Sequence, residues 1–162
     1  MEETKNDTSF DLNMHTARLL MQEPFFAALS RRINKSATKS VPTAGVRVNP
    51  NTSQFEMVYN PEFFDKLSDE HRTGVLKHEF YHIIFEHVTD RKPEGINPRI
   101  WNFATDLSIN SHLQGMLPEG CLMPGEGPFA DFPTGLSAEA YLELLKKMQK
   151  DNQDKQSGDE GE

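Results

Sequence analysis

Val75-Leu76-Lys77-His78-Glu79-Phe80-Tyr81-His82-Ile83-Ile84 holds an H-E-x-x-H sequence inside an apolar run from Val75 to Val88. At about 100° per residue, His78 and His82 fall roughly 40° apart on one helical face, one turn from each other. Two neutral imidazoles at that spacing can reach a single Zn2+. Glu79 stands next to them, where it could take a proton from a metal-bound water. Zinc lowers the pKa of that water from about 15.7 to about 7, so a hydroxide nucleophile becomes available at neutral pH. The plain alternative is an amphipathic helix with two surface histidines. Val75, Leu76, Phe80, Ile83, Ile84 and Val88 speak against it, because two histidines and a glutamate are poor core residues without a cation.

A catalytic zinc takes three protein ligands and keeps a position for water. On the same helix Glu86 faces the right way but lies about 12 Å along the axis from His78. His87 points roughly 140° away from His82, so it reads as a hydrogen-bonded residue in or beside the core. The next helix offers more. Asn102, Asp106 and Asn110 form a polar stripe at four-residue steps, flanked by Phe103, Ile109 and Leu113. A carboxylate in an apolar face is costly unless a cation compensates it, and Asp106 could be the third ligand. Asn110, one turn on, could hold a ligating histidine by its other ring nitrogen or fix Asp106. The competing reading makes the stripe a solvated face, or pairs Asp106 with Arg99 or Arg91. His112 points about 120° from Asp106 and is a weak ligand candidate.

The whole chain sets bounds on this reading. Its 162 residues are one domain's worth. Seventeen Lys and Arg against 25 Asp and Glu give a net charge of -8, which argues against nucleic acid or an anionic membrane surface as partner. The single cysteine, Cys121, excludes an internal disulfide and fits a reducing, cytoplasmic setting. Met1 to Asp7 has no signal-peptide character, and no stretch approaches the roughly 18 apolar residues of a membrane span.

Residues 1–10 read as disordered, 11–150 as the domain and 151–162 as a disordered acidic tail. Asp11 to Asn34 has a helical pattern split at Pro24, with Leu19, Leu20, Phe25, Phe26, Leu29 and Ile33 as apolar positions. Asn34 to Gly45 reads as a loop. Val46–Val48 and Phe55–Tyr59 flank Asn49–Ser53 as a β-hairpin. Asn60-Pro61 opens a short helix carrying Phe63, Phe64 and Leu67. Ser68 caps the motif helix, which is expected to end near Asp90 before Pro93 and Gly95. Asn97-Pro98 starts the helix of Asp106, running to about Leu113. Residues 114–136, rich in Gly and Pro, form a long irregular loop, and Ser137 caps a last helix to about Lys150. The expected fold class is α+β: a mostly helical domain with a small antiparallel hairpin or sheet packed on the H-E-x-x-H helix.

The run VYNPEFFDKLSDEHRTGVLKHEFYHIIFEHVTDR, followed by WNFATDLSIN, resembles the zinc metallopeptidase domain that in many bacterial proteins precedes a von Willebrand factor A-like domain. EPFFAALSRRI upstream and GLSAEAYLELL downstream extend the likeness to roughly residues 15–147. The resemblance implies a small zincin-like fold with His78, His82 and Asp106 on the metal, Glu79 as catalytic base and Asn110 in the site. The reading expects this chain to act without a von Willebrand-like domain, and the third histidine of metzincins is absent, since Val88 stands six residues after His82. The expected activity is hydrolysis of peptide bonds in a peptide or protein substrate, with Tyr59, Tyr81 and His112 as candidate oxyanion donors and the Phe55–Tyr59 strand as an edge for the substrate. The rival from another class is an inactive, zinc-stabilised protein-binding module; a helical adaptor without metal is the weakest reading. Glu79 counts against the module, because a purely structural site does not need that carboxylate and would be closed by a fourth protein ligand.

Overall fold

Pro24, Pro61 and Pro98 each occupy the first turn of a helix, where the missing N–H costs nothing, and they set the rhythm of the chain. The computed structural model describes residues 11, 12, 14, 22–85 and 92–159. Its elements are α1 (Pro24–Ser30), β1 (Ile33–Ala37), β2 (Ala44–Val48), β3 (Phe55–Tyr59), α2 (Pro61–Asp65), α3 (Asp69–Ile84), α4 (Pro98–Asn110), a 3-10 turn (Gly127–Phe129) and α5 (Ala138–Asp159). The fold is α+β, mainly helical with a small sheet, as the sequence implied.

The described residues pack as two compact units, the first running to residue 85 and including Met116–Pro118, the second taking 92–115 and the chain from Glu119 on. In the first unit the strand order is β1-β3-β2. β2 and β3 are the expected hairpin, antiparallel with Ala44 opposite Tyr59 and Val48 opposite Phe55. Its loop closes on Asn49, whose N–H donates to the Gln54 carbonyl at 2.8 Å and whose Oδ1 accepts from the Asn51 N–H at 2.9 Å. The third strand corrects the sequence reading. Ile33–Ala37, expected as a helix end and a loop, pairs with β3 in parallel. Only Ile33 of its five residues is buried, so the strand owes its form to the ladder and not to a pattern of its own. β3 is therefore central and offers no edge to a substrate.

The core of this unit gathers Ile33, Met57, Phe64, Val75, Leu76, Phe80 and Ile83. Phe25, read as apolar-face, is instead 65% exposed. Asn60 caps α2 by accepting from the Glu62 N–H at 3.0 Å, and Ser68 caps α3 by accepting from the His71 N–H at 3.2 Å. Asp69 and Glu70 add negative charge at the positive end of α3. α3 ends at Ile84, with Phe85 as its C-cap, earlier than the expected end near Asp90; Leu19 and Leu20 lie outside the described residues.

In the second unit, Asn97 Oδ1 accepts from the Arg99 N–H at 2.9 Å and starts α4. Trp101, Ala104 and Leu107 of α4 pack on Tyr141, Leu142 and Leu145 of α5. α4 stops at Asn110, three residues before Leu113. α5 runs nine residues past Lys150, in place of the disordered tail expected from there. That extension has no proline, and its one glycine, Gly158, stands at the last turn, so the exposed residues Asp151 to Ser157 hold nothing that breaks the helix.

Candidate metal centre

The sixteen-residue helix α3 buries Val75, Leu76, Glu79, Phe80 and Ile83 on one side and leaves His78 and His82 half-buried at the margin of that side. The two Nε2 atoms lie 3.1 Å apart, with the rings nearly perpendicular at 83°. Two nitrogens at about 2.0–2.1 Å from one tetrahedral zinc would be roughly 3.3–3.4 Å apart, so the observed pair needs to open by only about 0.2–0.3 Å to share the ion. Glu79, the residue adjoining His78, is only 7% exposed. Sequence reasoning placed it beside the metal; its burial is the new fact.

One turn before His78 comes Gly74, which the sequence reading passed over. A Cβ built there would lie 2.0 Å from the Met116 carbonyl oxygen. The backbone of Met116 thus presses directly on the helix, and Leu117 packs on the core of the same unit. A glycine in a helix interior costs about 1 kcal/mol against alanine, and this was the available signal that some backbone must approach closely.

On α4, Asn102 is exposed, Asp106 half-buried and Asn110 only 2% exposed. Asn110 Nδ2 donates to the Leu122 carbonyl at 2.7 Å, and Ser108 Oγ donates to the Leu136 carbonyl at 2.9 Å. These two buried side chains hold the irregular stretch after α4, together with Tyr141, whose hydroxyl donates to the Pro133 carbonyl at 2.6 Å. Ser108 escaped sequence analysis because a serine on the buried face of a helix gives no sign of its partner. Near Asp106 is Cys121, whose thiol pKa is pushed up by burial first and by the negative charge of Asp106 second. The suggested Arg99 pairing is not made. Arg99 lies over the Phe103 ring at 5.7 Å and has no acidic partner among the described residues.

Among the His, Cys, Asp and Glu side chains of the described residues, His78, His82 and Asp106 make up the group that could hold a metal ion, each offering one ligand atom. Glu86, His87 and Arg91 lie outside the described residues. Of the oxyanion candidates, Tyr81 stacks on Phe85 at 5.3 Å and Tyr59 meets Phe64 edge-on at 6.2 Å, so both rings serve packing. His112 is exposed. No helix among the described residues is long and apolar enough to cross a membrane.

No curated protein and no solved structure matches the chain. A family model does, over residues 7–162. Given that nearly complete match, the chain belongs to the family described as "Putative metallopeptidase domain".

Proposed function

We infer that this chain is a zinc-dependent peptidase in which His78, His82 and Asp106 hold the metal and Glu79 is the general base. The observation that carries the reading is the helix α3 itself: two Nε2 atoms 3.1 Å apart with a buried carboxylate on the adjoining residue. Bound there, zinc would supply Lewis acidity toward a scissile carbonyl and toward water. Glu79, screened from bulk solvent, would accept the proton of the attacking water and deliver it to the leaving amine. Its burial is what an inactive, metal-stabilised module has no use for. Asn110 would act on the site indirectly, by fixing the Leu122 segment near Asp106.

The sheet supports an extended peptide as substrate, at β2 and not at β3. The Thr43 carbonyl accepts from the Asn60 N–H and the Asn49 N–H donates to the Gln54 carbonyl, so odd-numbered residues of β2 face β3. Ala44, Val46 and Val48 consequently turn their N–H and C=O groups to the edge that no strand among the described residues covers. The opposite edge is taken: Lys35 Nζ donates to the Ser30 and Ile33 carbonyls, a guard of the kind that discourages strand addition. A peptide adding to β2 would gain main-chain hydrogen bonds independent of its sequence. A reducing, cytoplasmic setting belongs to the same proposal, on the strength of the single cysteine.

The test is Glu79→Gln, which keeps size and hydrogen bonding and cannot take the proton. In a library of unstructured peptides the zinc-loaded parent should cleave, and the variant should keep its zinc while losing at least about 100-fold in rate. A parent that carries zinc and cleaves nothing would hand the site to the binding-module reading.

A further inference from the structure

A cleft of about 360 Å³ opens in the second unit between the first half of α4 and α5, with no role in the site described above. Resting on the peptidase reading, we propose that it is a specificity pocket taking a large apolar side chain of the peptide together with an adjacent carboxylate. Its size falls within the roughly 300–1,000 Å³ of small-ligand pockets. Ile100, Phe103, Leu145 and Met148 make its apolar wall, and Arg99 and Gln149 stand at its rim.

Arg99 selects the partner. It is exposed, lies over the Phe103 ring at 5.7 Å, and has no acidic partner among the described residues. A guanidinium on an aromatic face keeps its in-plane N–H donors for a carboxylate. In a chain of net charge -8, a cation with no acidic partner among the described residues, beside an apolar wall, distinguishes acidic from neutral peptides locally.

The helical phase ties this cleft to the proposed reaction. Arg99, Phe103, Asp106 and Asn110 follow one another at steps of four, three and four residues, so they share one face of α4. Arg99 is two turns from Asp106, about 10 Å along the axis. Extended chain covers that in about three residues at ~3.3 Å each. The recognised pair therefore lies about three residues from the bond to be cut.

The experiment uses the full chain with Glu79→Gln, which holds a peptide without consuming it, and follows the methyl NMR signals of Leu145 and Met148. Acetyl-Leu-Glu-amide should shift both signals and bind roughly 2- to 5-fold tighter than acetyl-Leu-Gln-amide, a gain of the size an exposed ion pair gives. Arg99→Gln, at an exposed position, should fold normally and erase that difference. Acetyl-Leu-Leu with a free carboxyl terminus reports whether a chain end supplies the carboxylate: binding as tight as the glutamate probe assigns the cleft to chain ends, weaker binding to acidic side chains. Leu145 and Met148 signals unmoved by about 10 mM acetyl-Leu-Glu-amide, or equal affinity for the two amides, would overturn the pocket. Because the readout needs no turnover, a chain that binds the probe and cleaves nothing rejects the peptidase reading alone.

Discussion

Glu79 and Asp106 are both carboxylates on helices, yet the sequence made one of them far easier to read. Glu79 is tied to its histidines by a local, helical spacing, so its neighbourhood could be worked out from residue numbers. Asp106 is separated from them by more than twenty residues, and only its position in an apolar face hinted at a cation. The roles of Asn110 and Ser108 were legible only as a demand for partners, because those partners, Leu122 and Leu136, are backbone carbonyls in an irregular stretch. The proposed ligand set makes a prediction at this scale. Asp106→Asn preserves shape and removes the charged oxygen ligand, so the circular dichroism spectrum should be unchanged while zinc affinity falls more than about 100-fold, beyond what disturbing an outer partner costs. Parent-like affinity in a zinc-competition titration would remove Asp106 from the metal.

At the scale of elements, capping residues were read well because their chemistry is local: Asn60, Ser68, Asn97 and Ser137 all accept the expected backbone N–H bonds. β1 was not, since its strand form comes from pairing with β3 across a separation of 22 residues, Ile33 to Phe55. Gly74 is the element-level test. With the Met116 carbonyl oxygen 2.0 Å from any Cβ, Gly74→Ala must push the Met116 segment off α3 or bend the helix. We expect a loss of about 1–3 kcal/mol in urea unfolding, although alanine is the better helix former. An unchanged or raised midpoint would show that the Met116 backbone yields freely. The hairpin offers a second test, in its pH response. Glu56 accepts from Asn49 Nδ2 at 2.7 Å and Arg47 Nε at 2.8 Å, and these bonds hold its pKa below the ordinary 4.5, Asn49 contributing most. A carboxylate with a depressed folded pKa stabilises the fold above the ordinary value, and the benefit is lost as pH falls through the folded value. Glu56→Gln should therefore lower the urea midpoint at pH 7, and the gap should narrow as the pH falls below the ordinary 4.5 and through the folded value. A gap as wide at the lowest pH at which the chain stays folded as at pH 7 would assign the effect to packing instead of charge.

For the molecule as a whole, composition and patterning gave the α+β class. They did not reveal that a few residues of the Gly- and Pro-rich stretch, Met116–Pro118, join the first unit while the rest of it belongs to the second. Such a return depends on an opening at Gly74 and not on any preference of Met116 itself. The same global view bears on stability, because a metal held by folded-state ligands stabilises the native chain against the unfolded one. If zinc is present at about 1,000 times its dissociation constant, the gain is about 4 kcal/mol. For a chain of this size that corresponds to roughly 8–16 °C in melting temperature. Excess chelator should lower the melting temperature of the parent by that amount, and added Zn2+ should restore it. Glu79→Gln should respond just as the parent does, since a base is not a ligand. His82→Ala should melt low from the start and ignore chelator. A parent whose melting temperature is the same with chelator and with Zn2+ would mean that His78 and His82 only share a hydrogen bond, and the peptidase reading would fall with the metal.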